Sequence, residues 1–436
     1  MKPEVNIFWF RRDLRLNDNA GLYHALKQGI PVLPIFIFDK AILDKLEDKA
    51  DRRVAFIYTA ILELHLKLKE LHSSLTVVYG FPDDVFKRLA QDYSIKNVFT
   101  NHDYEPYAKE RDGRIKVFLE EEKIGFKTYK DQVIFEKNEV LKDNGEPYTV
   151  FTPYSRKWKA KLNLFFLSSY PNKKYFGNFY KYNAPGIPAV ESFGFTTLDF
   201  PFPSKVLKEE IVNKYGDTRD FPGTDEGTSR LGLHLRFGTV SIREIARIAQ
   251  SLSEVYLNEL IWREFYQMIL WHFPRVGQGR AFKPEYEKIE WRNNEEEFHK
   301  WCEGMTGYPI VDAGIRELNA TGFMHNRVRM VVASFLTKHL LIDWRWGEAY
   351  FAAKLLDFEL ASNNGGWQWA AGSGCDAAPF FRIFNPHIQT TKFDKSLVYI
   401  NKWVPDLNEF SYPSPIVEHE FARKRALEVY GKTLRK

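Results

Sequence analysis

Over the first 130 residues short apolar runs alternate with amphipathic stretches, and that alternation leaves few folds open. VNIFWF (5–10), VLPIFIF (32–38), LTVVYG (75–80), IKNVFT (95–100) and GFKTYK (125–130) read as strands. Residues 19–28, 51–72, 82–93 and 105–123 read as helices, the second with Val54, Ile57, Tyr58, Ile61 and Leu64 at helical spacing. Apolar strands separated by helices predict a parallel sheet covered on both faces. Such sheets bind ligands at the carboxyl ends of their strands. No G-x-G-x-x-G follows the first strand, so the usual dinucleotide fingerprint is missing.

The pattern then changes. Residues 131–225 are rich in Pro, Tyr, Lys, Asn and Gly and show little periodicity, which predicts a long connection with one short helix near 153–163. From about 226 the periodicity is helical, including 254–272, 324–339 and 417–430. A length of 436 residues suits two or three domains. With 62 basic and 57 acidic side chains the net charge is +5, which permits a polyanionic partner without requiring one. Cys302 and Cys375 are too few for a four-thiolate metal or iron–sulfur site, and they point to a reducing cytoplasm. MKPEVNIFWFRRDLRLND reads as neither a signal peptide nor a membrane span.

Residues 357–386, DFELASNNGGWQWAAGSGCDAAPFFRIFNP, carry the densest chemistry. Asp357, Glu359, Asn363 and Asn364 can read the edge of a heteroaromatic ring. Trp367 and Trp369 offer stacking faces, and Gly365–Gly366 predicts a sharp turn or a close approach to a ligand. A plain turn between helices with tryptophans in the core is the competing expectation. In 254–272, Glu259, Trp262, Arg263 and Tyr266 share one helical face, a mixture unlike an ordinary core stripe. GTSRLG (227–232) reads as a helix N-terminus suited to an anion, or as a simple cap. His325 and Asn326 stand beside Arg327 and Arg329, arginines that suit phosphate, and no metal-ligand spacing accompanies them. There is no G-x-S-x-G, H-E-x-x-H or Walker loop, which directs attention to cofactor-borne chemistry.

Taken together, FWFRRDLRLNDN (8–19), GTSRLG, NELIWREFYQ (258–267), TGYPIVDAGIRELNATGFMHNRVRM (306–330) and LASNNGGWQWAAGSGCDAAPFFRIFNP (360–386) closely resemble the photolyase/cryptochrome family. Within it they resemble bacterial photolyases of cyclobutane pyrimidine dimers. The resemblance runs over nearly the whole chain. It implies an α/β antenna domain (1–130, a doubly wound parallel sheet), a wrapping linker (131–195) and an all-helical FAD-binding domain (196–436). The implied activity is light-driven repair of UV-damaged DNA, by electron transfer from excited reduced flavin to a flipped-out dimer.

The resemblance also implies roles. Tyr215, Thr228, Ser229, Arg230, Leu231 and Gly232 would hold the flavin phosphates. Tyr256, Arg263, Arg329, Asp357, Phe358 and Glu359 would surround the flavin, with Arg329 paired to Asp357 and Asn363 facing N5 of the ring. Glu259, Trp262, Asn326, Arg327, Met330 and Trp369 would form the dimer pocket, with Glu259, Asn326 and Asn363 as its chemically active side chains. Trp291, Trp344 and Trp367 match the family's electron relay.

Some positions depart from the family pattern. Glu359 stands where Asp is common, Tyr256 and Phe323 where Trp is frequent, and Gly232 where Ser is common, all near the expected flavin shell. Tyr107 and Ala108 replace the Asn-Glu pair of folate-using relatives, so a folate antenna is unsupported and a deazaflavin, a second flavin or no antenna stay open. Repair of (6-4) lesions is expected to need a histidine pair where this chain has Asn326 and Met330. A cryptochrome-type receptor is expected to extend well beyond a last helix such as 417–430. The expected state is a monomer without metal or membrane partner.

Overall fold

In the computed structural model, residues 2–434 are described. Five parallel strands form one sheet: β1 (Glu4–Phe10), β2 (Val32–Asp39), β3 (Thr76–Gly80), β4 (Ser94–Asn101) and β5 (Gly125–Tyr129), in the order β3-β2-β1-β4-β5. Helices α1 (Ala20–Lys27), α2 (Arg52–Glu70), α3 (Pro82–Asp92) and α4 (Pro106–Glu121) make the crossovers. Each expected strand and helix is present within a few residues of its expected limits. The register runs from Asn6 opposite Val32 to Phe10 opposite Phe36. Ile7, Trp9, Ile35, Phe86 and Val98 form part of a core on this sheet. β1 lies between β2 and β4 in the sheet, and every residue after Glu4 is buried; all of them are apolar except Asn6.

The chain resolves into two compact units: Met1–Glu136, Leu162–Val206 and Arg230–Ile248 in the first, and Lys137–Lys161, Leu207–Ser229 and Ala249–Lys436 in the second. The stretch 131–195, expected as a single linker, is therefore divided. Residues 230–248, expected with the helical domain, belong to the α/β unit, and the reason is electrostatic and steric. Buried Arg243 binds Asp18 Oδ1 and Asp131 Oδ1, each at 2.8 Å. The Leu14 amide donates to the Phe237 carbonyl at 3.1 Å. Gly238 takes a positive φ of 62° and leaves no room for a side chain beside the Arg12 carbonyl.

The second unit is helical. Its main elements are α5 (Phe151–Lys161), α6 (Glu209–Thr218), α7 (Glu254–His272), α8 (Asn326–Ser334), α9 (Trp344–Lys354), α10 (Leu360–Ala371), α11 (Pro386–Phe393) and α12 (His419–Leu434). Helix α5 lies where the short helix was expected, whereas α6 falls inside a stretch expected to be irregular. Ser253 caps α7, and its hydroxyl accepts from the Tyr256 amide. Residues 324–339 were expected as one helix. Instead His325 caps α8 by accepting from the Arg327 amide, and Phe335–His339 close the segment as a π-helical turn. Trp301, Val328, Val332, Trp344, Phe351 and Trp367 belong to one core cluster here.

The glycine pair makes no turn. Gly365 and Gly366 lie in the middle of α10, and neither is among the glycines with positive φ. Gly365 has Tyr266 against its Cα, so that a Cβ there would lie 2.2 Å from the ring, while Gly366 faces open space. No helix among the described residues is long and apolar enough to cross a membrane.

Candidate active site

Helices α7, α8 and α10, with the loop before α10, enclose a cavity of about 390 Å³ in the helical unit. Its lining includes Glu259, Trp262 and Arg263 from α7, Asn326, Arg329 and Met330 from α8, Asp357, Phe358 and Glu359 from the loop, and Asn363, Trp367 and Trp369 from α10. The tertiary structure thus brings twelve side chains from three separate sequence motifs to one space. Helical spacing puts the α7 trio on one face, as expected from the sequence.

Charge in the cavity is organised in pairs. Arg263 Nη2 lies 2.8 Å from Glu359 Oε1, and Arg329 Nη2 lies 2.9 Å from Asp357 Oδ2. Asn363 Nδ2 donates to the Glu348 carbonyl at 3.1 Å, and Asn364 Nδ2 donates to Glu348 Oε1 at 3.0 Å. Burial pushes the Glu348 carboxyl above its usual range. Glu359, standing where Asp is common, reaches Arg263 at an ordinary ion-pair distance of 2.8 Å. Ala333, Phe351, Leu355 and Trp367 contribute apolar surface to the lining. Trp367 Nε1 is buried with no hydrogen-bond partner.

Glu259 is also in the lining. Its Oε1 accepts from Arg219 Nη1 at 2.6 Å. Burial raises the carboxyl's pKa and Asp220 adds to this, while Arg219 pulls it down; the net direction is up. Trp262 is stacked on one face by Phe151, with ring centroids 3.8 Å apart and planes 5° apart, so its rim and other face are what remain for a ligand. Trp369 leans toward Phe384 at 6.4 Å.

Other expected site residues lie outside this lining. Ser229 Oγ and Tyr256 Oη are 2.7 Å apart, and the Tyr215 ring packs edge-on against Tyr256 at 4.9 Å. Burial pushes the Tyr256 hydroxyl up to about 12. Thr228 precedes Ser229; Arg230 takes a left-handed backbone with φ of 51°, Leu231 is buried, and Gly232 opens the short helix Gly232–Phe237. Arg327 lines a neighbouring groove and is held by Asp220 Oδ1 at 2.7 Å. Among the relay candidates, Trp367 lines the cavity, Trp344 is fully buried in the same core, and Trp291 is half-buried. The rings nearest Trp367 are Phe351 at 5.0 Å and Trp301 at 6.1 Å.

The sequence reading missed Arg219, Phe351, Leu355 and Ser362 as lining residues. Ser362, whose hydroxyl donates to Glu359 Oε2 at 3.2 Å, is a common helix-surface type, and Phe351 and Leu355 are ordinary core types with no signal of their own. Arg219 had one: an Arg-Asp pair four residues after Tyr215, in a stretch read as linker. Among the described residues no group of His, Cys, Asp or Glu could hold a metal ion. The donor set instead fits a flat heteroaromatic ring with a polar edge, since the lining combines two ion pairs and amides with apolar and aromatic side chains.

A parallel α/β unit and a helical unit holding such a cavity define a two-part flavoprotein, and the comparisons agree. Residues 256–411 match the model of the FAD binding domain of DNA photolyase, and residues 6–173 match the DNA photolyase model. The deoxyribodipyrimidine photo-lyase of Synechococcus sp. is 35% identical over 98% of this chain and 96% of its own length. That of Escherichia coli is 35% identical over 98% of both chains. The crystal structure of a class III photolyase from Agrobacterium tumefaciens superposes with a TM-score of 0.87 at 31% identity, covering 100% of this chain and 98% of that one. A Synechocystis cryptochrome at 24% identity, covering 98% of this chain and 99% of its own, shares the fold with a TM-score of 0.85. The chain belongs to the DNA photolyase family.

Proposed function

We propose that this protein splits cyclobutane pyrimidine dimers in UV-damaged DNA in a light-dependent reaction. The observation that carries the reading is one cavity shared by Glu259, Trp262, Asn326, Met330 and Trp369 with Arg263, Arg329, Asp357, Glu359 and Asn363. Reduced FAD, held by these residues, would supply on absorbing blue light the single electron that ring opening needs.

Arg263, Arg329, Asp357, Phe358, Glu359 and Asn363 hold and orient the heteroaromatic ring. Tyr215, Tyr256 and the segment Thr228–Gly232 take its phosphates. Trp262 and Trp369 bracket the dimer, and an aromatic contact of this kind contributes about 1–3 kcal/mol per stacked base. A dimer is already poorly stacked and paired, which lowers the cost of drawing it out of the duplex. Glu259, whose carboxyl is pushed toward its protonated form, donates a hydrogen bond to a dimer carbonyl as charge develops there. Asn326 offers an amide to the same base edges. Trp367 lines the cavity, Trp344 is buried and Trp291 is half-buried, and the reading assigns these three to electron supply from outside.

Asn326 and Met330, in place of a histidine pair, favour cyclobutane dimers over (6-4) lesions. Cys302 and Cys375 are free thiols, in keeping with a cytoplasmic monomer. Tyr107, whose hydroxyl donates to Asp39 Oδ2 at 2.7 Å, and buried Ala108 stand where folate-using relatives are expected to carry Asn-Glu, so no folate antenna is proposed. The test is repair of two oligonucleotides, one with a cyclobutane thymine dimer and one with a (6-4) lesion, by chemically reduced protein in blue light and in the dark. Light-dependent restoration of the cyclobutane substrate alone is expected. Restoration of the (6-4) substrate alone would overturn the pocket assignment, and repair of neither would favour a receptor.

A further inference from the structure

Beside the main cavity, and sharing Met330 and Trp369 with it, lies a groove of about 360 Å³. Arg327, Arg382 and Lys392 line it, and Asp220 is the one acid in its lining. That acid is spent on Arg327, with Oδ1 at 2.7 Å from Nη2. Arg327 also lies over the Phe393 ring at 4.4 Å, and its Nε is buried without a partner, so the guanidinium is incompletely satisfied where it stands. Asp220 has a second cation nearby: Arg219 Nε is 4.0 Å from the same Oδ1. Arg219 is in turn the group that holds Glu259. Two acids and two bases thus form one chain, Glu259–Arg219–Asp220–Arg327, with no net charge.

We infer that Asp220 is a placeholder for a DNA phosphate, and that its displacement from Arg327 transfers Arg219 from Glu259 to Asp220. This rests on the repair reading above. A phosphodiester entering a groove with three cations and one acid must compete with that acid, because two anions cannot share the Arg327 fork without repulsion. The displaced carboxylate has Arg219 as its nearest remaining cation. When Arg219 turns to it, Glu259 loses the ion pair that favours its charged form. The carboxyl then takes a proton from solvent and is free to donate to the dimer. One O–H bond forms on Glu259 as one breaks in a solvent hydronium ion, and no other covalent bond changes.

Asp220 is on this account a positioning residue, coupling engagement of the DNA backbone to the state of the acid. The groups facing Glu259 in this process are Arg219 and Asp220 from the loop after α6, Tyr215 on α6, and Tyr256, Arg263 and Tyr266 on its own helix. Only the first two are charged partners that the DNA would rearrange.

The test uses FAD-loaded protein and its Asp220→Asn variant, with a duplex carrying one thymine dimer. Anisotropy titration reads binding, and light-driven repair is followed from pH 6 to 9. Asp220→Asn is expected to bind the duplex roughly two- to fivefold more tightly, as a partly exposed ion pair no longer competes for Arg327. It is also expected to lose repair on the alkaline side, with the midpoint about one pH unit lower, because Arg219 stays on Glu259. Asp220→Glu should restore both. A purely structural role would weaken binding and leave the pH midpoint unmoved, and either result overturns the proposal. If the wild-type protein itself repaired no dimer, the repair reading would fail instead.

Discussion

Gly365 and Gly366 provide a paired test of how α10 is built. Both are interior to the helix, where replacing Gly by Ala stabilises by about 0.8–1 kcal/mol. At 366 nothing lies within 4 Å of the added Cβ, so the full gain is expected in FAD-free protein. The new methyl also points into open space at the cavity wall, so retention of FAD or of the dimer should weaken. At 365 the added Cβ would lie 2.2 Å from Tyr266 Cδ1, where ordinary contact begins at 3.4 Å. The ring would have to retreat by more than an ångström, and Trp262 at 5.5 Å and Phe265 at 6.0 Å stand beside it. Overpacking of this kind costs about 1–3 kcal/mol, which outweighs the helical gain at the upper end of the range. Thermal unfolding of both variants, with and without FAD, and FAD release read by fluorescence, would measure the two effects. Gly366→Ala should be the more stable variant without ligand, and Gly365→Ala should match or fall below wild type. Stabilisation of both by the same amount would refute the packing argument.

Glu259→Ala is expected to keep FAD, since its carboxylate pairs with Arg219 alone, and to lose repair by roughly a hundredfold or more as a preorganised donor disappears; unchanged repair of a dimer-containing oligonucleotide would exclude that role. Trp291→Phe should abolish photoreduction of oxidised enzyme, followed by flavin absorbance, while chemically reduced protein still repairs normally. His339 is fully buried, and desolvation with nearby His419 and Arg425 brings its pKa to about 3. The unfolded chain takes a proton on this ring near pH 6.5 and the folded protein does not. Stability is therefore undiminished above 6.5 and falls by up to about 1.4 kcal/mol per pH unit between 6.5 and 3. Unfolding midpoints of wild type and His339→Gln across pH 4–7 should show a shallower slope in the variant.

Local pattern was enough for the α/β unit, because strand and helix periodicities are written in neighbouring residues and a parallel sheet demands apolar strands on both faces. Glu259, Trp262 and Arg263 were legible as one face for the same reason, and the long motifs pointed to Asp357, Glu359 and Asn363. What a single stretch cannot specify is which partner arrives from elsewhere. Arg219 meets Glu259 across forty positions. Arg327 was legible as a phosphate ligand, yet its pairing with Asp220 depends on the loop after α6, in a stretch that reads as linker. The glycine pair carries the composition of a turn, but Tyr266 and the open cavity, one on each side of α10, are what make a side chain unwelcome there. Residues 230–248 join the α/β unit because Asp18 and Asp131 hold Arg243, a contact with no trace in local periodicity. Periodicity along the chain determined the elements. Long-range ion pairs and packing, set only when distant segments share one dielectric and one volume, decided the site.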